Sequence, residues 1–177
     1  MKIGILVGSS DRKSHSLGLG GEIQNELIKQ GADVTLLNLI EQEFPLYDRA
    51  LERADDFPEV IQNFLELSEH MDAFVWVTPI YHNSYSAMLK NAIDWQHKMK
   101  FHGKVLGLAS NGGNRSPQAA DQLTLVARSQ GYVTVPKRVC TDESDYNEDY
   151  LVTNEAIQQR IHDFCEQLIE ITSRIAS

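Results

Sequence analysis

Five short apolar runs punctuate the chain: Ile3–Val7, Val34–Leu39, Ala73–Val77, Val105–Ala109 and Tyr132–Val135. The first, third and fourth are unbroken by polar residues. A strand with one wet face alternates apolar and polar positions, so unbroken runs of this length fit parallel strands covered on both faces. The second and fifth runs carry more polar residues and read as sheet edges.

Between the runs the period changes to that of helices. Pro58–Met71 sets Val60, Phe64, Leu67 and Met71 on one stripe, with Ile61 and Leu65 beside it. Ser84–His97 carries Met88, Leu89, Ala92 and Ile93. From about Asn154, the residues Ile157, Ile161, Phe164, Leu168, Ile171 and Ile175 recur at spacings of four and three, a stripe that reads as packing on a sheet in preference to a coiled-coil seam. Two further helices are predicted to end at Gln30-Gly31 and Gln130-Gly131, each with the glycine just past the last turn. The second of them opens on Ser116-Pro117, where Ser can cap and Pro is pre-set for the first turn. Strand and helix alternating in this way predict a three-layer α/β sandwich around a five-stranded parallel sheet, one domain over residues 1–177. Ligands of such sheets bind beyond the carboxyl ends of the strands. The loops after Val7, Val77 and Ala109 are therefore the ones to inspect.

The first of these, Gly8-Ser9-Ser10-Asp11-Arg12-Lys13-Ser14-His15-Ser16, runs from a strand into a helix N-terminus. Free N–H groups and the helix dipole favour a phosphate there, and the hydroxyls and two basic side chains add donors. The spacing is neither that of a Walker loop nor that of a dinucleotide fingerprint. Gly18, Gly20 and Gly21 fall inside the predicted helix and are costly there. They indicate either a late or loose start, or a close approach to the sheet or to another subunit. The loop after the third strand, from Thr78 to Ser86, is polar and aromatic, and its backbone can meet the edge of a flat heterocycle. Pro79 stiffens it, and Tyr81 and Tyr85 offer apolar contact with a polar tip. The third loop, Ser110-Asn111-Gly112-Gly113-Asn114-Arg115-Ser116, has two glycines that let backbone approach a ligand.

Here the sequence resembles a known family. Pro79, Tyr81, Ser84 and the unbroken Leu89-Lys90-Asn91-Ala92-Ile93-Asp94-Trp95 match in register the signature of the NADPH-dependent FMN reductases, which include quinone, chromate and azo-dye reductases. Gly8, Ser9 and Ser14 resemble that family's phosphate loop, and Pro45-Leu46-Tyr47-Asp48 resembles the segment that often follows its second strand. The chain departs from the pattern at Asp11, Ser16, Ile80, His82 and Ser86. The resemblance implies a flavodoxin-like fold of strand order 2-1-3-4-5, bound FMN, and NADPH or NADH as co-substrate. It implies that Ser9, Arg12, Ser14 and Ser16 hold the FMN phosphate. Pro79, Ile80, Tyr81, His82, Asn83 and Ser84 would hold the ring edge through backbone contacts, and Ser110, Asn111, Gly112 and Gly113 would line its pyrimidine end. The electrons would reach a small-molecule acceptor by a ping-pong scheme with no catalytic acid or base side chain. A homodimer or homotetramer is implied as well. An electron carrier for a partner protein, or a flavin or nucleotide sensor without turnover, stays open beside the reductase reading.

Composition trims the alternatives. Hydrophobic residues at 42% and charged residues at 23% exclude disorder and fibrous classes. The formal net charge of −9 speaks against nucleic acid, whose backbone wants a basic face. The acids cluster in residues 41–59 and 142–150, read as solvated surface or an oligomer rim, so the first loop stays locally neutral to basic and an anionic cofactor is not excluded. Cys140 and Cys165 form no CxxC pair, and six scattered histidines show no metal spacing, so no metal is expected. Two thiols, no apolar run of membrane length and no signal-like start place the chain in the cytoplasm, away from membranes.

Overall fold

A computed structural model describes residues 1–96 and 98–176, leaving out the side chains at 98, 99 and 176. The sheet contains β1 (Lys2–Val7), β2 (Asp33–Asn38), β3 (Ala73–Pro79), β4 (Val105–Asn111), β5 (Val133–Thr134) and β6 (Val139–Thr141). Its order is β2-β1-β3-β4-β5, with β6 also on β4, and every pairing between these strands is parallel. The helices are α1 (His15–Lys29), α2 (Arg49–Ala54), α3 (Glu59–Glu69), α4 (Ala87–Trp95), α5 (Lys98–Phe101), α6 (Gln118–Gln130) and α7 (Glu155–Ala176). The predicted layers and strand order are those observed.

The unbroken apolar runs are the central strands because both of their faces are covered. All seven residues of β3 are buried, whereas β2 at the edge is half-buried along most of its length. On one face, Leu19, Ile23 and Leu27 of α1 and Ile157, Ile161, Phe164 and Leu168 of α7 pack on Ile3, Ile5, Val75 and Val77. On the other, Phe64 of α3, Leu89, Ala92 and Ile93 of α4 and Leu123 of α6 pack on Leu6, Phe74, Trp76 and Leu106. The stripe of α7 outruns the sheet: Ile175 at its end is 49% exposed.

Four boundaries differ from expectation. The predicted fifth strand, Tyr132–Val135, forms as the shorter β5 on Val105–Leu106, and β6, which was not predicted, pairs with Ala109–Asn111 further along β4. Pro136 falls in the gap and has no N–H for the ladder. Helix α6 begins after Pro117, which stands at the cap position without a side-chain hydrogen bond, and Ser116 Oγ only accepts from Gln118 N–H at 3.3 Å. Helix α2, capped by the Asp48 carboxylate, was not predicted; it buries no residue, so it has no apolar stripe to read. Helix α4 starts at Ala87 after its cap Ser86, and the predicted end at His97 lies outside the described residues.

Helix α1 starts at His15 with Ser14 as cap, so there is no late start. A Cβ at Gly18 would lie 2.0 Å from the Tyr150 carbonyl oxygen, and one at Gly20 would lie 2.7 Å from Val7 Cγ2. Close approach explains both. A Cβ at Gly21 would meet nothing within 4 Å. Gly21→Ala should therefore gain helix propensity of about 1 kcal/mol and raise the melting temperature by roughly 2–4 °C. Gly18→Ala should lower it despite the same propensity gain. A calorimetric comparison of the two variants checks this, and equal shifts would contradict it.

Candidate functional site

The carboxyl ends of β1, β3 and β4 are neighbours, with Val7 beside Val77 and Pro79 beside Asn111. Helix α4 fixes their first loop. A Cβ at Gly8 would lie 2.5 Å from Leu89 Cβ, so α4 packs against the end of β1 at a distance only glycine permits. The stretch Leu89–Trp95 then organises the segment after β2. Asn91 Oδ1 accepts the Tyr47 N–H at 2.8 Å, and its Nδ2 donates to Pro45 O at 2.9 Å. Trp95 Nε1 donates to the same carbonyl at 3.1 Å. The Tyr47 hydroxyl donates to Glu52, whose carboxylate raises the phenol's pKa.

In the first loop, Ser9 is buried and its Oγ accepts the Asp11 N–H at 3.2 Å. Ser14 Oγ caps α1 by accepting from Leu17 N–H. Ser16 is buried in the first turn, and Arg12 is exposed with no ion-pair partner among the described residues. The N–H groups of Arg12 in the loop and of Ser14, His15 and Ser16 at the helix N-terminus have no acceptor among the described residues.

The second loop is a tight turn. Tyr81 and Ser84 exchange backbone hydrogen bonds at 2.9 and 3.0 Å around His82 and Asn83, both at positive φ (50° and 64°). Gln122 of α6 gathers this turn, accepting from Ser84 Oγ at 2.6 Å and donating to Asn83 O at 2.9 Å. Tyr81 reaches back to the first loop, its hydroxyl 2.7 Å from Ser10 Oγ. Ile80 N–H donates to Asn111 O, and the Ile80 side chain lies under the glycines of the third loop. Among the described residues, the N–H groups of His82 and Asn83 remain without an acceptor, and so does that of Gly113.

The third loop leaves Ser110 Oγ buried and unpartnered at the end of β4. Asn111 Nδ2 donates to Thr141 Oγ1 at 3.0 Å, and Thr141 Oγ1 is 2.7 Å from the Tyr146 hydroxyl. Burial raises the Tyr146 pKa. Arg115 is paired with Asp145 through two bonds of 2.8 and 2.6 Å. Asp145 itself corrects the reading of residues 142–150 as solvated: it is 0% exposed. Burial alone would raise its pKa, but the hydrogen bonds from Arg115, the Asp142 N–H and Asn154 outweigh that and lower it. Charge counting hid this residue, although Asp142-x-x-Asp145 has capping-box spacing and forms one. Gln122 carried no sequence signal at all.

The predicted residues thus come together on three adjacent loops. The free N–H groups and the buried unpartnered Ser110 hydroxyl suit a flat heterocycle attached to an anion. Among the described residues, no group of three or more His, Cys, Asp or Glu is placed to hold a metal. Cys165 is buried, which pushes its thiol up to about 12, and Cys140 is a free thiol on β6. No described helix is long and apolar enough to cross a membrane.

The sequence profile described as NADPH-dependent FMN reductase matches residues 1–145. A protein of Staphylococcus saprophyticus named FMN-dependent NADPH-azoreductase is 32% identical over 178 residues, covering 96% of this chain and 94% of its own. One of the same name from Staphylococcus aureus is 29% identical, covering 98% and 96%. A solved flavoenzyme NAD(P)H:(acceptor) oxidoreductase from Paracoccus denitrificans superposes with a TM-score of 0.81 at 24% identity, covering 98% of this chain and 97% of that one.

The Asp145 assignment has a measurable consequence. A carboxylate whose folded pKa is lowered stabilises the fold above its unfolded value and loses that contribution as pH falls through the folded one. Asp145→Asn should therefore flatten the decline of stability below about pH 4, the ordinary carboxylate range. Urea melts from pH 7 to pH 2.5 test it, and an acid limb identical to that of the wild type would refute the assignment.

Proposed function

The chain belongs to the NADPH-dependent FMN reductase family, and on that premise we propose that it passes electrons from NADPH or NADH through bound FMN to a small acceptor. A quinone, a free flavin, an azo dye and chromate all suit a site with one open side. The observation that carries this reading is the distribution of unpaired backbone N–H groups. Four stand in the first loop and at the start of α1, where an anion is favoured, and three stand at His82, Asn83 and Gly113, where a ring edge with acceptors would lie.

FMN, when bound, would supply the redox chemistry that links nicotinamide and acceptor. The protein binds, orients and shields it. The N–H groups of Arg12, Ser14, His15 and Ser16 would hold the phosphate. Ser9 and Ser14 each use an oxygen lone pair within the loop, so their hydroxyl protons are available to donate. Arg12, exposed and unpaired among the described residues, adds charge. The ring edge would meet backbone at Pro79–Ser84 and at Ser110–Gly113. This reading accommodates Ile80 and His82 in place of family-pattern residues: Ile80 packs against Gly112 and Gly113, and His82 sits at a turn tip where its backbone N–H would be the contact. No acid or base side chain is needed. Donor and acceptor sharing one open side would take turns, giving ping-pong kinetics. Two unpaired cysteines suit a reducing cytoplasm, and a homodimer or homotetramer is the expected assembly.

Two experiments test the reading. In the first, FMN-loaded protein is mixed anaerobically with NADPH and separately with NADH. Bleaching of the visible flavin band by either nucleotide is expected; a spectrum unchanged by both would leave no reductase. In the second, Ser9→Ala combined with Ser14→Ala should weaken FMN binding by about tenfold or more, the loss of about 1.4 kcal/mol. Riboflavin, which lacks the phosphate, should bind the variant and the wild type alike. An unaltered FMN affinity would mean the phosphate is held elsewhere.

A further inference from the structure

Four consecutive residues after β4, Gly112, Gly113, Asn114 and Arg115, have positive φ values of 115°, 60°, 55° and 58°. Two of them are glycines. Asn tolerates the left-handed region, but an arginine adopts it seldom, so something must hold it there. Besides the Ser116 N–H, which donates to the Gly112 and Gly113 carbonyls at 3.3 and 3.1 Å, the restraints come from one short segment. Gly112 N–H donates to Thr141 O at 2.9 Å, Asn114 N–H donates to Asp142 Oδ2 at 3.1 Å, and the Arg115 guanidinium binds Asp145 with both prongs. Asp145 is in turn held by the Asp142 N–H at 2.9 Å and by Asn154 Nδ2 at 2.7 Å, and its main-chain carbonyl receives Thr153 N–H at 2.8 Å.

The turn also faces the other way. Ideal Cβ positions on Gly112 and Gly113 lie 3.6 and 3.5 Å from the Ile80 side chain, and Ile80 N–H is bonded to Asn111 O. The shape of residues 112–115 is therefore passed to the loop that carries His82 and Asn83. A buried carboxylate paired with a guanidinium contributes little net stability compared with a well-packed apolar pair, because desolvation offsets the attraction. Its geometric effect is larger: a planar fork on a fixed carboxylate sets position and angle together.

We infer that Arg115 and Asp145 are a positioning pair for the flavin ring, holding the left-handed turn that aims the Gly113 N–H and, through Ile80, the His82–Asn83 turn. The inference rests on the FMN reading above. Neither residue touches the ring; both act through the backbone of the turn.

The test uses Arg115→Ala, Arg115→Lys, Asp145→Asn and the double variant Arg115→Ala/Asp145→Asn. Dissociation constants for FMN and for riboflavin are measured by quenching of flavin fluorescence, beside the visible spectrum of each saturated complex and the melting temperature of each flavin-free protein. Arg115→Ala and Asp145→Asn should each weaken both flavins about tenfold, by the same factor for each flavin, because the defect is at the ring and not at the phosphate. The double variant should be no worse than either single one, since the two side chains act as a unit. Arg115→Lys, which keeps the charge and loses the fork, should recover part of the affinity. The long-wavelength flavin band, which responds to hydrogen bonds at the ring, should shift in Arg115→Ala even at saturation, a change that a loss of stability alone would not produce. Should the variants of the buried acid fail to fold, Arg115→Lys decides alone: weakening of both flavins supports the pair. Wild-type affinity for both flavins in Arg115→Ala, or in Arg115→Lys in that case, overturns it, as does a loss confined to FMN. Wild-type protein that binds no FMN would overturn the functional reading itself and this inference with it.

Discussion

A methyl group at position 8 would stand 2.5 Å from Leu89 Cβ and 2.8 Å from Ser86 Oγ, and the closeness this measures governs the carboxyl edge of the sheet. Helix α4 can press on the end of β1 only because that residue is glycine. From that contact α4 projects Asn91 and Trp95 onto Pro45 and Tyr47, so one helix sets both the first loop and the segment after β2. The signature Leu89–Trp95 is thus structural in this chain. It fixes the neighbouring first loop and the segment after β2.

This division explains what was legible in the sequence. The central strands were, because burial on both faces demands unbroken apolar runs, and β1, β3 and β4 cannot be built otherwise. Helices with one apolar stripe were legible too, whereas α2, which buries nothing, was invisible. The unpredicted β6 follows a gap that holds Pro136, which has no N–H for a ladder, a matter of hydrogen bonding that hydrophobic periodicity does not record. At the site, the residue types in the three loops were readable, but the conformation that frees some N–H groups and occupies others was not. Tyr81 and Ser84 bond each other through their backbones, and only the folded turn reveals that the N–H groups of His82 and Asn83 have no acceptor among the described residues.

Charge gives the sharper lesson. Summed over the chain, the acids argued against an anionic ligand; divided into segments, they left the first loop neutral to basic. The structure divides them once more. Within residues 142–150, Glu143, Glu148 and Asp149 are exposed, while Asp145 is buried and organises a loop, a helix start and a strand end. A formal charge is the same in each of these positions, but its physical effect depends on what surrounds it.

The broken edge at β5 and β6 has a consequence of its own. A long free edge offers a row of donors and acceptors to which another chain can add, and proteins guard against this by shortening or covering such strands. Here one piece is two residues long and the other three. The stretch between them is occupied from within, with Gln167 accepting from Lys137 N–H and Arg160 donating to the Arg138 carbonyl. That side of the sheet is closed to strand addition. Any self-association there would have to proceed through side chains on the helical faces, and a sheet this apolar gains on that flank a built-in barrier to amyloid-like growth.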